Sequence, residues 1–160
     1  MSAPDPLLAF GHEAAEQRIK HSEMRKELNL QLRAGEVSPA IWSDYLQRAT
    51  TLRGDLEVLR ALVGKVFPER LSFESKAHAD YLANLQGYLL ALCDAHLSFI
   101  KRIEWGQQVR IRDTFNPLRW LRFWRNGQEY EKLMARMEHF GSQLKIRHES
   151  INLGAKLEGN

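Results

Sequence analysis

The chain has 160 residues, of which 44% are hydrophobic and 27% charged, which is typical of a globular protein and excludes fibrous and disordered classes. A single cysteine, Cys93, excludes an internal disulfide and favours a reducing compartment. No apolar run approaches the roughly 20 residues that span a bilayer, and the first residues lack the pattern of a secretory signal. We therefore expect one domain over residues 1–160 and a cytoplasmic location.

Prolines mark where the predicted helices begin. In Asp5-Pro6, Ser38-Pro39 and Asn116-Pro117 a capping side chain directly precedes a proline. The cap accepts from free N–H groups of the first turn, and a proline at the first helical position sacrifices no hydrogen bond. Pro68 is expected to end the second helix, because the residue before a proline is disfavoured in helical conformation.

Within the first two predicted helices, apolar residues recur in steps of three and four. The first helix, at about 6–33, has the weaker pattern, because Gln17 and His21 interrupt it. The second, at about 39–66, has an unbroken coiled-coil type of seam. That seam consists of Trp42, Tyr45, Ala49, Leu52, Leu56, Leu59, Val63 and Val66.

The third predicted helix, at about 73–113, begins after Ser72 as its cap and would be about 60 Å long, against about 42 Å for each of the first two. Its seam consists of Leu82, Leu85, Leu89, Leu92, His96, Phe99 and Ile103. Unless it bends near Gly106, it is expected to extend past the first pair. A short helix at 117–125, a turn at Asn126-Gly127 and a last helix at 128–153 follow. The sequence therefore predicts an all-α fold, a four-helix antiparallel up-down bundle of long helices with a short extra helix between helices 3 and 4.

The main functional lead is a segment in which positive charge and aromatic side chains coincide. Residues 101–125 hold seven basic and two acidic side chains, a net +5, whereas the whole chain carries only +3. In the predicted short helix, Arg119, Arg122 and Arg125 cluster on one side and the aromatic residues on the other. We call the following set the basic aromatic elbow: Trp105, Arg110, Arg112, Arg119, Trp120, Arg122, Phe123, Trp124 and Arg125.

Three uses of the elbow are compatible with its composition. Its aromatic side chains would cap the open end of the bundle, or they would anchor an acidic protein partner, because Trp and Arg are over-represented at interface hot spots. The third use is contact with an anionic membrane surface or, less favoured because the rest of the chain is acidic, with nucleic acid. Heptad seams on long helices also allow a homodimer.

Histidines and the cysteine raise a second hypothesis. His78 and His96 fall on one face of the third helix, Cys93 and His96 are three residues apart, and His148 lies near the apolar side of the last helix. Imidazole and thiolate are the usual zinc ligands, although a histidine in a seam is more commonly a core residue with a hydrogen-bond partner. Cys93, His96, His78 and His148 are therefore weak candidates for a metal site, and we predict no cofactor.

The C-terminal 65 residues carry a partial resemblance to a known family. The stretches Asp94-Ala-His96-Leu-Ser-Phe, Pro117-Leu-Arg-Trp-Leu, Arg125-Asn-Gly-Gln and His148-Glu149 resemble the order of elements in bacterial chemoreceptor zinc-binding bundles. That family carries three histidines and one cysteine. Here only His96 and His148 match, while the expected cysteine falls near Phe115 or Asn116 and another histidine falls on Leu144. With two ligands of four, the resemblance does not imply a complete zinc site.

Complete catalytic motifs are absent from the sequence. His12-Glu13 and His148-Glu149 lack the second histidine of a zinc-protease helix, and Gly64-Lys65 lacks the upstream glycine of a P-loop. We therefore expect no enzyme. The leading hypothesis is a non-catalytic helical interaction module (an adaptor, chaperone, immunity or regulatory protein) that binds another macromolecule through the basic aromatic elbow. The alternatives are a metal- or small-ligand-sensing bundle that uses Cys93 and His96, and peripheral membrane-surface binding.

Overall fold

The computed structural model describes residues 5–34, 37–66, 75–111 and 117–158; for 108–111, 117–120, 122–123 and 153–158 it describes the backbone alone. These residues form four α-helices and, within the described ranges, no strand. The helices are α1 (Pro6–Arg33), α2 (Pro39–Val66), α3 (Lys76–Ile111) and α4 (Pro117–Glu158). The predicted all-α four-helix bundle is confirmed.

The cap and proline pairs begin the helices as predicted. An oxygen of the Asp5 side chain accepts a hydrogen bond from the N–H of Leu7 at 2.9 Å, and Pro6 is the first residue of α1. The hydroxyl of Ser38 accepts from the N–H of Ile41 at 3.3 Å at the start of α2. The predicted caps Ser72 and Asn116 lie outside the described residues.

Consecutive helices pack as antiparallel neighbours, and α1 also lies against α3 and contacts α4 through side chains. Arg48 of α2 binds Glu27 of α1 at 2.8 Å, and the side-chain amide of Asn84 in α3 donates to the carbonyl of Phe140 in α4 at 2.8 Å. Arg25 of α1 pairs with a glutamate of α4. Because α1 contacts both α3 and α4, these three helices meet in the interior of the bundle.

The predicted seams form the core, with two differences. In α2 every predicted seam residue is buried except Val66, which is 50% exposed in the last turn. In α1 the two residues that interrupt the apolar pattern, Gln17 and His21, are themselves buried, so the seam continues through polar side chains. Burial of each large apolar seam side chain favours folding by about 1.5–3 kcal/mol, so the seams supply the main driving force.

The short extra helix is not a separate element. Residues 117–125 form the first turns of α4, which runs on through Asn126 and Gly127 without a break. The amide nitrogen of Asn126 donates to the carbonyl of Ser98 at 3.2 Å, and a Cβ at Gly127 would collide with the guanidinium of Arg102. This Asn-Gly pair therefore makes a close contact with α3, and its interpretation as a turn was wrong.

The observed lengths of α3 and α4 differ from the predicted ones. Taken at 1.5 Å per residue, α3 is about 54 Å long, α1 and α2 are about 42 Å each, and α4 is the longest at about 63 Å. α3 continues through Gly106, where a Cβ would lie 2.5 Å from the indole of Trp42. Within the described part of the chain, none of the helices combines the length and apolarity needed to cross a bilayer.

Candidate functional site

A buried polar layer crosses the middle of the bundle and takes one group from each helix. The two Nδ1 atoms of His21 in α1 and His96 in α3 are 2.7 Å apart. Nε2 of His21 is 2.6 Å from the hydroxyl of Tyr130 in α4, and Nε2 of His96 is 2.6 Å from the carbonyl oxygen of Ala49 in α2. Both histidines are completely buried, so these contacts replace water. We call these four residues the histidine layer.

The direction of every hydrogen bond in the histidine layer follows from the Ala49 carbonyl, which can only accept. His96 must therefore carry its proton on Nε2, which leaves its Nδ1 as an acceptor. His21 then donates from Nδ1, and its Nε2 accepts from the hydroxyl of Tyr130. With both imidazoles neutral, each buried nitrogen has one partner and no proton is in surplus.

Electrostatics favour the neutral form of both imidazoles. Burial, followed by the neighbouring His96 and by Arg25, lowers the pKa of His21 from 6.5 to about 3. Burial also lowers the pKa of His96, although its bond to Ala49 opposes the shift. Burial raises the pKa of Tyr130, so its hydroxyl keeps the proton that it donates. The two imidazoles and the phenol of the histidine layer therefore stay neutral at neutral pH. Their hydrogen bonds are suited to fixing the register of the helices against one another.

The sequence pattern did not predict that His21 belongs to this layer. His21 was interpreted as an interruption of the α1 seam, whereas His96 was correctly placed on the buried side of α3. The ring of Phe99, next to His96 on the same buried face, lies edge-on to His21 at 5.3 Å between centroids. The signal available in the sequence was a histidine at a seam position of α1 and a second histidine in the seam of α3.

Two of the predicted metal candidates contact other side chains. Nε2 of His78 contacts a carboxylate oxygen of Asp5 at 2.8 Å near the start of α1, and the ring of His148 lies 5.6 Å from that of His12. Burial raises the pKa of the Cys93 thiol, which disfavours the thiolate that a metal or a nucleophilic reaction requires. Among the described residues, no three His, Cys, Asp or Glu side chains converge in a way that would hold a metal ion.

The two histidines that match the zinc-binding bundles do not share a layer. The α4 residue at the level of His96 is Tyr130, and His21 lies between them and contacts both. His148 lies 18 residues further along α4, a helical rise of about 27 Å. The ligand arrangement suggested by the resemblance is therefore not assembled by His96 and His148.

The structure places part of the basic aromatic elbow on the protein surface. Of its members, Trp124 is 60% exposed and Arg125 is exposed, and the neighbouring Leu121 of α4 is 41% exposed. These three residues are spaced i, i+3 and i+4, so they lie on one side of α4. We call them the α4 surface patch. Trp124 therefore does not cap the bundle interior.

Other members of the elbow are described less completely. Trp105 is half-buried on α3 and takes part in contacts there. Arg112 lies outside the described residues. Only backbone helix positions are described for the remaining members, which are Arg110, Arg119, Trp120, Arg122 and Phe123.

Comparison of the chain with models of protein families, with curated proteins and with solved structures finds no match.

Proposed function

We propose that this protein is a non-catalytic interaction module that binds an acidic protein partner through the basic aromatic elbow, with the α4 surface patch as its central contact. The observation that carries the proposal is the 60% exposure of Trp124 beside the exposed Leu121 and Arg125. A tryptophan left in water next to a guanidinium favours a binding surface, because Trp and Arg are over-represented among the residues that contribute most of the binding energy at interfaces.

The charge of the surrounding segment indicates the kind of partner. The net +5 of residues 101–125 would attract an acidic surface and accelerate its association. Once in contact, the guanidinium of Arg125 would bind carboxylates in a bidentate manner, while the indole of Trp124 would supply most of the buried area.

The rigid support of α4 favours tight binding. Immediately after the α4 surface patch, Asn126 is buried and bonds to the backbone of Ser98, and Tyr130 is held in the histidine layer. The patch therefore extends from a helix whose next turns are fixed on α3 and α1. A surface already held in its binding conformation loses less conformational entropy when a partner docks.

A capture experiment with three versions of the protein tests this proposal. The tagged wild type is compared with Leu121→Ala/Trp124→Ala and with Val58→Ala/Leu62→Ala, a control that removes two exposed apolar residues of α2. We expect an acidic protein to be enriched by the wild type and the control, lost from the patch variant, and released at high salt.

Two results would contradict the proposal. Equal recovery of the same proteins by all three versions would show that the patch is not the contact. Recovery of only a second copy of this chain, or of lipid or nucleic acid, would show that the partner class is wrong. Because all four substituted residues are exposed, equal thermal midpoints of the three proteins would exclude misfolding as the reason for a loss.

A further inference from the structure

A cleft of about 240 Å³ lies between α1 and α4, far from the basic aromatic elbow. Its floor is formed by buried tyrosine rings of α3, and its walls carry basic side chains of α1 and α4. The polar residues that line it are His12, Arg18, Tyr81, Tyr88, Lys145 and His148. None of its lining residues is acidic.

Glycines allow the two outer helices to approach the tyrosines closely. A Cβ at Gly11 of α1 would collide with the hydroxyl of Tyr81, and one at Gly141 of α4 would lie 3.2 Å from the ring of Tyr88. The cleft is therefore bounded by backbone at these two points, and the basic side chains of Arg18 and Lys145 also line it.

The arginine in the cleft is incompletely satisfied by the protein. Nε of Arg18 is buried and makes no hydrogen bond, and its terminal nitrogen reaches Glu138 only at 3.9 Å, the outer limit of an ion pair. A buried donor without an acceptor is unfavourable, and an oxygen of a bound anion would supply the missing acceptor.

The tyrosines add neutral donors to this basic environment. Burial raises the pKa values of Tyr81 and Tyr88 to about 12, so both hydroxyls keep their protons at neutral pH. The rings of Tyr81 and His148 are 6.4 Å apart between centroids, and those of His12 and His148 are 5.6 Å apart. Imidazole, phenol and guanidinium groups thus surround one small volume.

We infer that this cleft binds a small molecule bearing an oxyanion, either a phosphate ester or a polycarboxylate, with Arg18 and Lys145 as its charge-neutralising residues. The volume equals that of about eight water molecules, which suits a small metabolite and excludes a folded segment or a nucleic-acid strand. The inference is independent of the proposed protein partner, because it uses a different surface of the bundle.

Calorimetric titrations at constant ionic strength test the inference. The probes are inorganic phosphate, citrate and glucose 6-phosphate, with glucose as the matched neutral molecule. We expect saturable binding of glucose 6-phosphate or citrate, and none of glucose. The tighter of the two anions then identifies phosphate or carboxylate as the preferred group.

Matched variants locate the site. Arg18→Gln and Lys145→Gln should each weaken anion binding at least tenfold, whereas Lys132→Gln, which removes an exposed charge of α4 outside the cleft, should change it less than twofold. Glu138→Gln removes the carboxylate that competes for Arg18 and should tighten binding about two- to fivefold.

Several outcomes would overturn the inference. Equal weakening by Lys132→Gln would show that only the overall charge attracts the anion. Binding of glucose as tight as that of glucose 6-phosphate, or failure of all three anions to bind the folded wild type, would contradict an oxyanion site. Because the side chains of Arg18 and Lys145 are partly exposed, a native circular-dichroism spectrum of both variants separates loss of the site from loss of the fold.

Discussion

The histidine layer should make this protein strongly acid-sensitive between pH 7.5 and pH 5, because its imidazoles stay neutral in the folded protein. Burial lowers the pKa of His21 from 6.5 to about 3, so the unfolded chain takes up a proton that the folded protein refuses. The stabilisation is therefore complete above pH 6.5 and is lost progressively as the pH falls toward 3. His96 acts in the same direction, because burial lowers its pKa as well.

The size of the effect follows from the shift at His21. Between pH 6.5 and 3 the free energy of unfolding falls by about 1.4 kcal/mol for each pH unit, so His21 alone should remove about 2 kcal/mol between pH 7.5 and 5. Most carboxylates remain ionised in this window, which makes histidines the main source of the change.

Urea denaturation at pH 7.5 and 5 measures the loss. We expect His21→Phe to be less stable at pH 7.5 but to lose about 2 kcal/mol less than the wild type on acidification. His139→Gln, which removes an exposed histidine, should keep the loss of the wild type. An NMR titration in which the His21 ring becomes protonated above pH 5, or equal losses in His21→Phe and wild type, would refute the reasoning.

Four further changes test individual contacts by chemical denaturation. Tyr130→Phe removes the donor to a buried imidazole nitrogen and should lower the free energy of unfolding by about 1–3 kcal/mol. The control Tyr45→Phe removes a hydroxyl that makes only a 3.5 Å contact and should lower it by under about 1 kcal/mol. Equal losses in the two variants would contradict the histidine layer. Gly87→Ala should destabilise by about 1–3 kcal/mol, because its Cβ would lie 2.6 Å from an aromatic carbon of α4, and a neutral result would contradict this close packing. Gly54→Ala, with open space around the new methyl group, should stabilise by about 0.5–1 kcal/mol, and a loss would contradict its open surroundings. Trp124→Ala should change stability by less than about 0.5 kcal/mol, since a larger loss would show that the indole belongs to the core.

The helices were predictable because their signals are local. Asp5-Pro6 and Ser38-Pro39 set helix starts through contacts within one turn, and the spacing of the α2 seam reports which side is buried. Asn126-Gly127 was misinterpreted because the same pair that favours a turn also permits a close helix contact. Only the packing of α4 on α3 decides between the two.

The histidine layer could be predicted only in part. The seam placed His96 in the interior, but its partner depends on the register between α1 and α3, which no local pattern encodes. His21 therefore looked like a defect in a weak helix. The exposure of Trp124 likewise depends on the rotation of α4 about its axis, which the buried Asn126 and Tyr130 fix against α3 and α1.

The most direct test of the proposed function is photo-crosslinking from a residue that flanks the α4 surface patch. A photo-reactive amino acid at the exposed Gln128, one turn after Trp124, is compared with the same amino acid at Val58, which is 60% exposed on α2. We predict a discrete crosslink to an acidic protein from position 128, absent from position 58 and lost when Trp124 is replaced by alanine. No crosslink from position 128, or the same products from both positions, would contradict the proposed function.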